Sequence, residues 1–305
     1  MKYLFSLIFS LNIIFYIFLI YKPLNIESDF SIDAGNNLSE IFKNLEEKNI
    51  LFPKSIKLIF NVSGRDKKIY LGKYKINNND SIIDILKNIY FGKIILKKFI
   101  INEGSKITDL FSKEIIKSYC QTVNFQDECE LEGYAKPDVY LYDREIELLS
   151  ILKKSIKNQM ADLNKSWNER NSKLVNFSKK EILIIASILE KESCANEREK
   201  ISGVIYNRLK NNMLLQMDST TIYGLKNFNG NLKKKDLRDS SLYNTYMHKG
   251  LPPGPISNPS KNSIFAAAQP EEHNYLYFVA KDKCSHEFST NYDDHLKAVK
   301  KYQLR

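Results

Sequence analysis

Residues 182–189 form an almost unbroken apolar run, and a carboxylate, Glu192, stands three positions beyond its end. That pairing constrains the chain more than any other feature. A helix that is apolar on all sides must be buried, so the fold has to be built around this segment. Ser178, with Glu181 three positions later, supplies a capping box. The predicted helix then runs through Ile182, Ile185 and Leu189 and ends near Ser193. Burial and a helix C-terminus both raise the pKa of a carboxyl group, and a raised pKa makes a proton donor. Glu192 is therefore the candidate general acid. Glu190 lies two positions earlier and points to a different helix face. It reads as a structural partner of Arg198 or Arg208.

With 305 residues, 43% hydrophobic and 27% charged, the chain is globular rather than disordered and long enough for more than one folding unit. Its net charge of +10 favours an anionic partner. Many of the lysines lie among Asn and Ile, so compositional bias explains the charge better than a dedicated basic patch does. No nucleic-acid recognition motif accompanies it. Residues 3–21 are a near-continuous apolar and aromatic stretch, long enough to cross a bilayer as a helix. Lys2 and Lys22 flank it and leave the orientation weakly specified. Tyr21-Lys22-Pro23-Leu24 offers no small-residue cleavage site, so an uncleaved anchor is expected. The four cysteines, Cys120, Cys129, Cys194 and Cys284, include no C-x-x-C pair, which speaks against a zinc site. Spacing leaves a Cys120–Cys129 bridge and free thiols both open.

A strand–turn–helix unit recurs at residues 32–42, 76–86 and 101–111. Asn37, Ser81 or Lys106 would open each short helix, with an acid near the first turn where the macrodipole favours it. Such units resemble the LysM carbohydrate-binding module, although the pattern alone favours a generic α/β connection. Residues 148–173 read as a long polar-faced helix and 196–210 as a helix beyond the Glu192 corner. Residues 275–280 read as a buried strand and 293–302 as a closing helix. The expected class is α+β. It comprises a transmembrane anchor in residues 1–22, a LysM-like α/β module in 23–97 and a mixed α/β catalytic domain in 98–305.

Beyond Glu192, uncharged polar and aromatic residues become dense: Tyr206-Asn207-Arg208-Leu209, then Leu215-Gln216-Met217-Asp218-Ser219-Thr220, then Tyr243-Asn244-Thr245-Tyr246. Amides, hydroxyls, carboxylates and aromatic faces are the groups that bind sugars. Gln216, Asp218, Tyr243, Asn244 and Tyr246 supply them. The proline-rich stretch Gly250-Leu251-Pro252-Pro253-Gly254-Pro255-Ile256 has restricted φ and would make a rigid loop at a cleft rim. In this order, with Ala186-Ser187-Ile188-Leu189-Glu190-Lys191-Glu192, Leu131-Glu132-Gly133-Tyr134, and His286 with Phe288 and His295, the chain resembles the MltG-like (YceG-like) endolytic murein transglycosylases. The resemblance covers nearly the whole chain.

That resemblance implies Glu192 as the catalytic residue and Gln216, Asp218, Thr220, Tyr243, Asn244 and Tyr246 as substrate-binding residues. It implies cleavage of the β-1,4 bond between N-acetylmuramic acid and N-acetylglucosamine, with no metal or cofactor. Protonated Glu192 would donate to the glycosidic oxygen. The same residue, or a water it activates, would take the proton of the muramoyl C6 hydroxyl as that hydroxyl closes a 1,6-anhydro ring. Ser219 stands where the family usually has Pro, Ala135-Lys136 replace a bulkier apolar pair, and Val139 replaces a Thr. None of these departures is expected to touch the acid. Hydrolysis is the rival reaction and needs a second carboxylate, Asp218 or Glu132. A non-catalytic wall-binding scaffold is a rival of another class. The resemblance further implies an inner-membrane protein with its catalytic domain outside the cytoplasm, acting on peptidoglycan strands. Penicillin-binding synthases and the elongation or division machinery would be its partners. His286 and His295 either line the cleft or serve as structural histidines.

Overall fold

The computed structural model describes residues 2–50, 56, 69–123, 129–143 and 147–303. The chain divides into two compact units, residues 1–98 with 141–147, and residues 99–140 with 148–305.

The first unit contains α1 (Lys2–Tyr21), β1 (Ser28–Ile32), α2 (Leu38–Glu46), β2 (Gly72–Ile76) and α3 (Ile82–Phe91). β1 and β2 run antiparallel, with Ser28 opposite Ile76 and Ile32 opposite Gly72. Strand alternation turns Phe30, Ile32, Tyr74 and Ile76 inward, where they share a core with Ile41, Phe42 and Leu45 of α2 and Ile85 and Ile89 of α3. Each fully buried side chain of this size contributes roughly 1.5–3 kcal/mol. Asn37 and Ser81 open the two helices with complete capping boxes to Glu40 and Asp84. The third copy is β3 (Lys97–Ile101) followed by α4 (Ile107–Leu110). In each copy the helix starts six positions after the strand ends: Ile32 to Leu38, Ile76 to Ile82, Ile101 to Ile107. Lys106 does not cap the third helix. Its place is taken by Glu132, which accepts from the Ile107 N–H at 3.1 Å. The expected strand–turn–helix unit is thus present, but a LysM module is not shown by it.

α1 forms over the expected anchor. Among the described residues, however, no helix is long and apolar enough to cross a membrane. The expected single-pass anchor is therefore not borne out.

The second unit is built round α7 (Lys179–Glu192). Before it come α5 (Lys113–Thr122), β4 (Asp138–Tyr142), which pairs with β3, and α6 (Leu148–Asn168). After it come α8 (Arg198–Lys210), α9 (Asp218–Gly224), α10 (Lys261–Ala268), β5 (Tyr277–Ala280), β6 (His286–Ser289) and α11 (Tyr292–Tyr302). Ser178 and Glu181 close the predicted capping box, and every residue from 182 to 189 is buried. Helices α6, α8, α9 and α10 pack around it. The one polar residue of the run, Ser187, accepts from the Ile256 N–H (3.0 Å), and its carbonyl accepts from Ser257 Oγ (3.1 Å). The end of the proline-rich stretch is therefore a buried strap across α7, not a rim. Gly133 permits its close approach, because a Cβ there would lie 2.6 Å from Pro255 Cβ.

β5 and β6 form an antiparallel hairpin, with Tyr277 opposite Ser289 and Ala280 opposite His286. Only Val279 of β5 is buried. The apolar run was expected to lie in the interior; Val279 does, Phe278 packs against the core while bordering a cleft, and Tyr277 lines that cleft. Two disulfides are present, Cys120–Cys129 and Cys194–Cys284. The second joins the turn after α7 to the turn of the β5–β6 hairpin. At Gly203 on α8 an added Cβ would overlap the Glu271 carbonyl oxygen and lie 2.7 Å from His273 Nε2. Gly203→Ala should therefore destabilise the protein by about 1–3 kcal/mol through overpacking, read as a lower urea midpoint. An unchanged midpoint would mean that the segment entering β5 is not fixed against α8.

Candidate active site

Glu192, the last residue of α7, opens into a cleft of about 560 Å3. The floor and walls come from α8 (Arg208), the 215–218 segment, Tyr246, the β5–β6 hairpin (Tyr277, Phe278, His286) and α11 (Tyr292, His295). Glu192 Oε1 accepts two hydrogen bonds from Ser219, from Oγ at 2.6 Å and from N–H at 3.3 Å. Burial pushes the Glu192 carboxyl above its ordinary 4.5, and the Asp218 carboxylate adds to that. The Ser219 donors and nearby His286 oppose it without reversing it. The result is a carboxyl group that stays protonated beyond the usual carboxylate range while facing an open cleft, which is the state a proton donor needs.

Glu190 turns the other way. Its Oε1 pairs with Arg198 at 2.8 Å, with the two side chains only 4% and 8% exposed. Its Oε2 accepts from Ser260 N–H (2.8 Å), Ser260 Oγ (2.6 Å) and Ser263 Oγ (2.7 Å), so it caps the start of α10. The expected structural role is met, with Arg198 as the partner. Arg208 instead stitches the cleft wall, donating from Nε to the Leu276 carbonyl (2.6 Å) and from Nη1 to the Leu215 carbonyl (2.6 Å).

The six expected substrate-binding residues divide. Gln216, Asp218 and Tyr246 line the Glu192 cleft. Gln216 is exposed and holds a left-handed φ of +50°. Strain of this kind in a non-glycine residue persists where the surroundings over-determine it, and it concentrates at binding sites. Tyr246 Oη donates to Asp218 Oδ1 at 2.6 Å, which fixes both groups. Thr220 and Asn244, in contrast, are fully buried. Thr220 Oγ1 bonds to the Met217 carbonyl and to Thr245 Oγ1. Asn244 accepts from Thr221 Oγ1 and the Tyr246 N–H and donates to two backbone carbonyls. Both are instead structural: Thr220 ties Met217 to Thr245, and Asn244 ties its own turn to Thr221 and to the 237–239 backbone. Tyr243 lies outside this cleft, 4.7 Å from Tyr223 between ring centroids.

Glu132 is also outside the cleft, held by the Ile107 N–H and by Tyr223 Oη (3.3 Å). Arg208 and Tyr277 line the cleft and Ser219 bonds to Glu192, three residues not expected at the site from the sequence. The departure Ser219 was expected not to touch the acid, yet it is the direct hydrogen-bond donor to Glu192. Ser219→Ala removes one of the bonds that favour the carboxylate, so the pKa should rise further. The alkaline fall in activity, where the acid loses its proton, should then move to higher pH. An unmoved alkaline limb in a pH–rate profile would separate Ser219 from the acid.

Comparison with known proteins fits this geometry. The YceG-like family matches residues 30–301. The chain is 39% identical over 176 residues to the endolytic murein transglycosylase of Bacillus subtilis strain 168, covering 56% of this chain and 48% of that protein. It is 26% identical over 298 residues to the endolytic murein transglycosylase of Streptococcus pneumoniae D39, covering 82% and 53%. The chain thus spans about half the length of these curated relatives. A crystal structure of a YceG-like protein from Listeria monocytogenes matches with a TM-score of 0.57 and 28% identity, covering 90% of this chain and 99% of that one. With the family match extending over most of its length, this chain belongs to the YceG-like family.

Proposed function

We propose that the chain is an endolytic lytic transglycosylase that cuts peptidoglycan glycan strands at the β-1,4 bond between N-acetylmuramic acid and N-acetylglucosamine. One observation carries the reading. Glu192 is a carboxyl whose pKa is raised by burial, facing a cleft lined with the amide, carboxylate and aromatic groups that suit a sugar chain. The names of the two relatives point the same way. Glu192 donates its proton to the glycosidic oxygen as the C1–O bond breaks. The C6 hydroxyl of the same muramoyl residue attacks C1, losing its proton, and leaves a 1,6-anhydro end. Attack from within the same ring gains from proximity and needs neither a bound water nor a metal. Gln216, Asp218 and Tyr246 orient the strand.

Placement at the cytoplasmic membrane, with the cleft outside the cytoplasm, belongs to the same reading. It is supported by the exposed Leu11, Ile14, Phe15 and Phe18 of α1, a surface that favours lipid over water. Such a position would put the enzyme beside strands emerging from penicillin-binding synthases. Asp218 in the same cleft keeps hydrolysis as the second reading. Uncrosslinked glycan strands incubated with the protein and analysed by mass spectrometry decide between them. New 1,6-anhydromuramoyl ends support the transglycosylase. Reducing ends, heavier by one water, make it a hydrolase. No cleavage by a folded protein that still binds strands makes it a scaffold.

A further inference from the structure

The turn after α7 and the β5–β6 hairpin are tied together twice. Cys194 and Cys284 form the first tie. The second is Glu197, which grips one residue at two points. Its Oε1 accepts from the His286 N–H at 3.3 Å, and its Oε2 lies 2.7 Å from His286 Nδ1. A hairpin already fixed by a disulfide does not need that second tie for its position. What the second tie adds is the orientation of one ring. The imidazole is further held by Phe278, edge-on at 5.3 Å, and its side chain is only 11% exposed. It nevertheless lines the same cleft as Glu192. In the neutral ring, a carboxylate at Nδ1 selects the tautomer with the proton on that nitrogen, and Nε2 is then the acceptor. A carboxylate that orients a histidine whose other nitrogen meets substrate is the arrangement of a general base.

We propose that His286, oriented by Glu197, is a further catalytic residue of this cleft, the base that takes the proton of the attacking sugar hydroxyl. The proposal rests on the transglycosylase reading. The bond from C1 to the leaving sugar breaks, and the leaving oxygen takes the proton of Glu192. The bond from the C6 oxygen to C1 forms, and the hydroxyl proton passes to His286 Nε2. The imidazolium, paired with the Glu197 carboxylate, then returns a proton to the Glu192 carboxylate by way of solvent, and both groups are reset. Glu192 is thereby spared from acting as donor and acceptor in one turnover.

Chemical rescue of the full-length protein tests this on uncrosslinked glycan strands. His286→Ala should slow formation of anhydro ends by about 10²–10⁴-fold. Added imidazole should restore part of that rate, and it should do nothing for Glu192→Gln. His286→Asn sets an amide N–H where Nδ1 stands, toward Glu197, but has no basic nitrogen, so a variant that unfolds at the wild-type temperature should be as slow as the alanine variant. Activity of His286→Asn within a few-fold of wild type overturns the proposal. So does a folded His286→Ala that is slow and not rescued, because that result assigns the ring a structural role. If the wild type itself yields no anhydro ends, it is the transglycosylase reading that fails, which is a separate outcome.

Discussion

Glu192→Gln is expected to lower strand cleavage by about 10²–10⁴-fold and, at neutral pH, to raise the unfolding temperature. The two effects have one cause. Glu192 must be protonated to act, and burial penalises its charged form. Its folded pKa therefore lies above the ordinary 4.5 of the unfolded chain. Between those two values the folded state holds the proton more tightly. The stability this group contributes is full below 4.5 and is lost as pH rises through the folded value. Gln has no charge to desolvate, so above that window the variant should be the more stable protein, and below it the two should unfold alike. Thermal unfolding of both proteins across pH checks the claim. Equal unfolding temperatures at every pH would show that the carboxyl bears no burial penalty, and the case for an activated acid would go with it.

Glu190→Gln, two positions away on the same helix, should act in the opposite sense, lowering stability by about 3–5 kcal/mol, the usual cost of removing one partner of a buried ion pair. Arg198 would be left charged and buried, 8% exposed, with Ser260 Oγ as its other partner. The loss reaches further than one pair. Glu190 Oε2 is the common acceptor for Ser260 N–H, Ser260 Oγ and Ser263 Oγ, so the start of α10 loses its anchor against α7. Urea unfolding monitored by far-UV circular dichroism gives the measurement. A Glu190→Gln variant as stable as wild type would mean that the pair contributes nothing beyond a hydrophobic replacement. A variant more stable than wild type would exchange the roles of the two carboxylates.

The contrast between these two residues also shows what was legible beforehand. The apolar run of α7 and its Ser178–Glu181 box announce a buried helix, and a carboxylate past its end is visible without any structure. The strand–turn–helix units are legible for the same reason, since Asn37–Glu40 and Ser81–Asp84 are local capping signals. Thr220 and Asn244 were misread because a buried clamp and a binding surface use the same polar residue types. Only the three-dimensional partners distinguish them. Ser219 was passed over because its contact with Glu192 joins residues 27 apart in sequence. Likewise Cys194 and Cys284 are 90 residues apart, and spacing does not encode which thiols meet. The exposed wall made by β5 was hidden by composition. Aromatic residues in a strand read as core, as Phe278 does, yet Tyr277 lines the cleft.

The seven residues 141–147 that return to the first unit have a consequence for how the protein is made and inherited. That unit is not complete at residue 98, and the whole of 99–140 is synthesised before its last piece emerges. Vectorial folding, in which an N-terminal domain finishes before the next begins, is the usual course for multidomain chains. Here the first unit can finish only once part of the second is already outside the ribosome. By the same interleaving, a single genetic crossover cannot exchange one unit and leave the other whole. A truncation at residue 98 would lack a segment that belongs to the first unit.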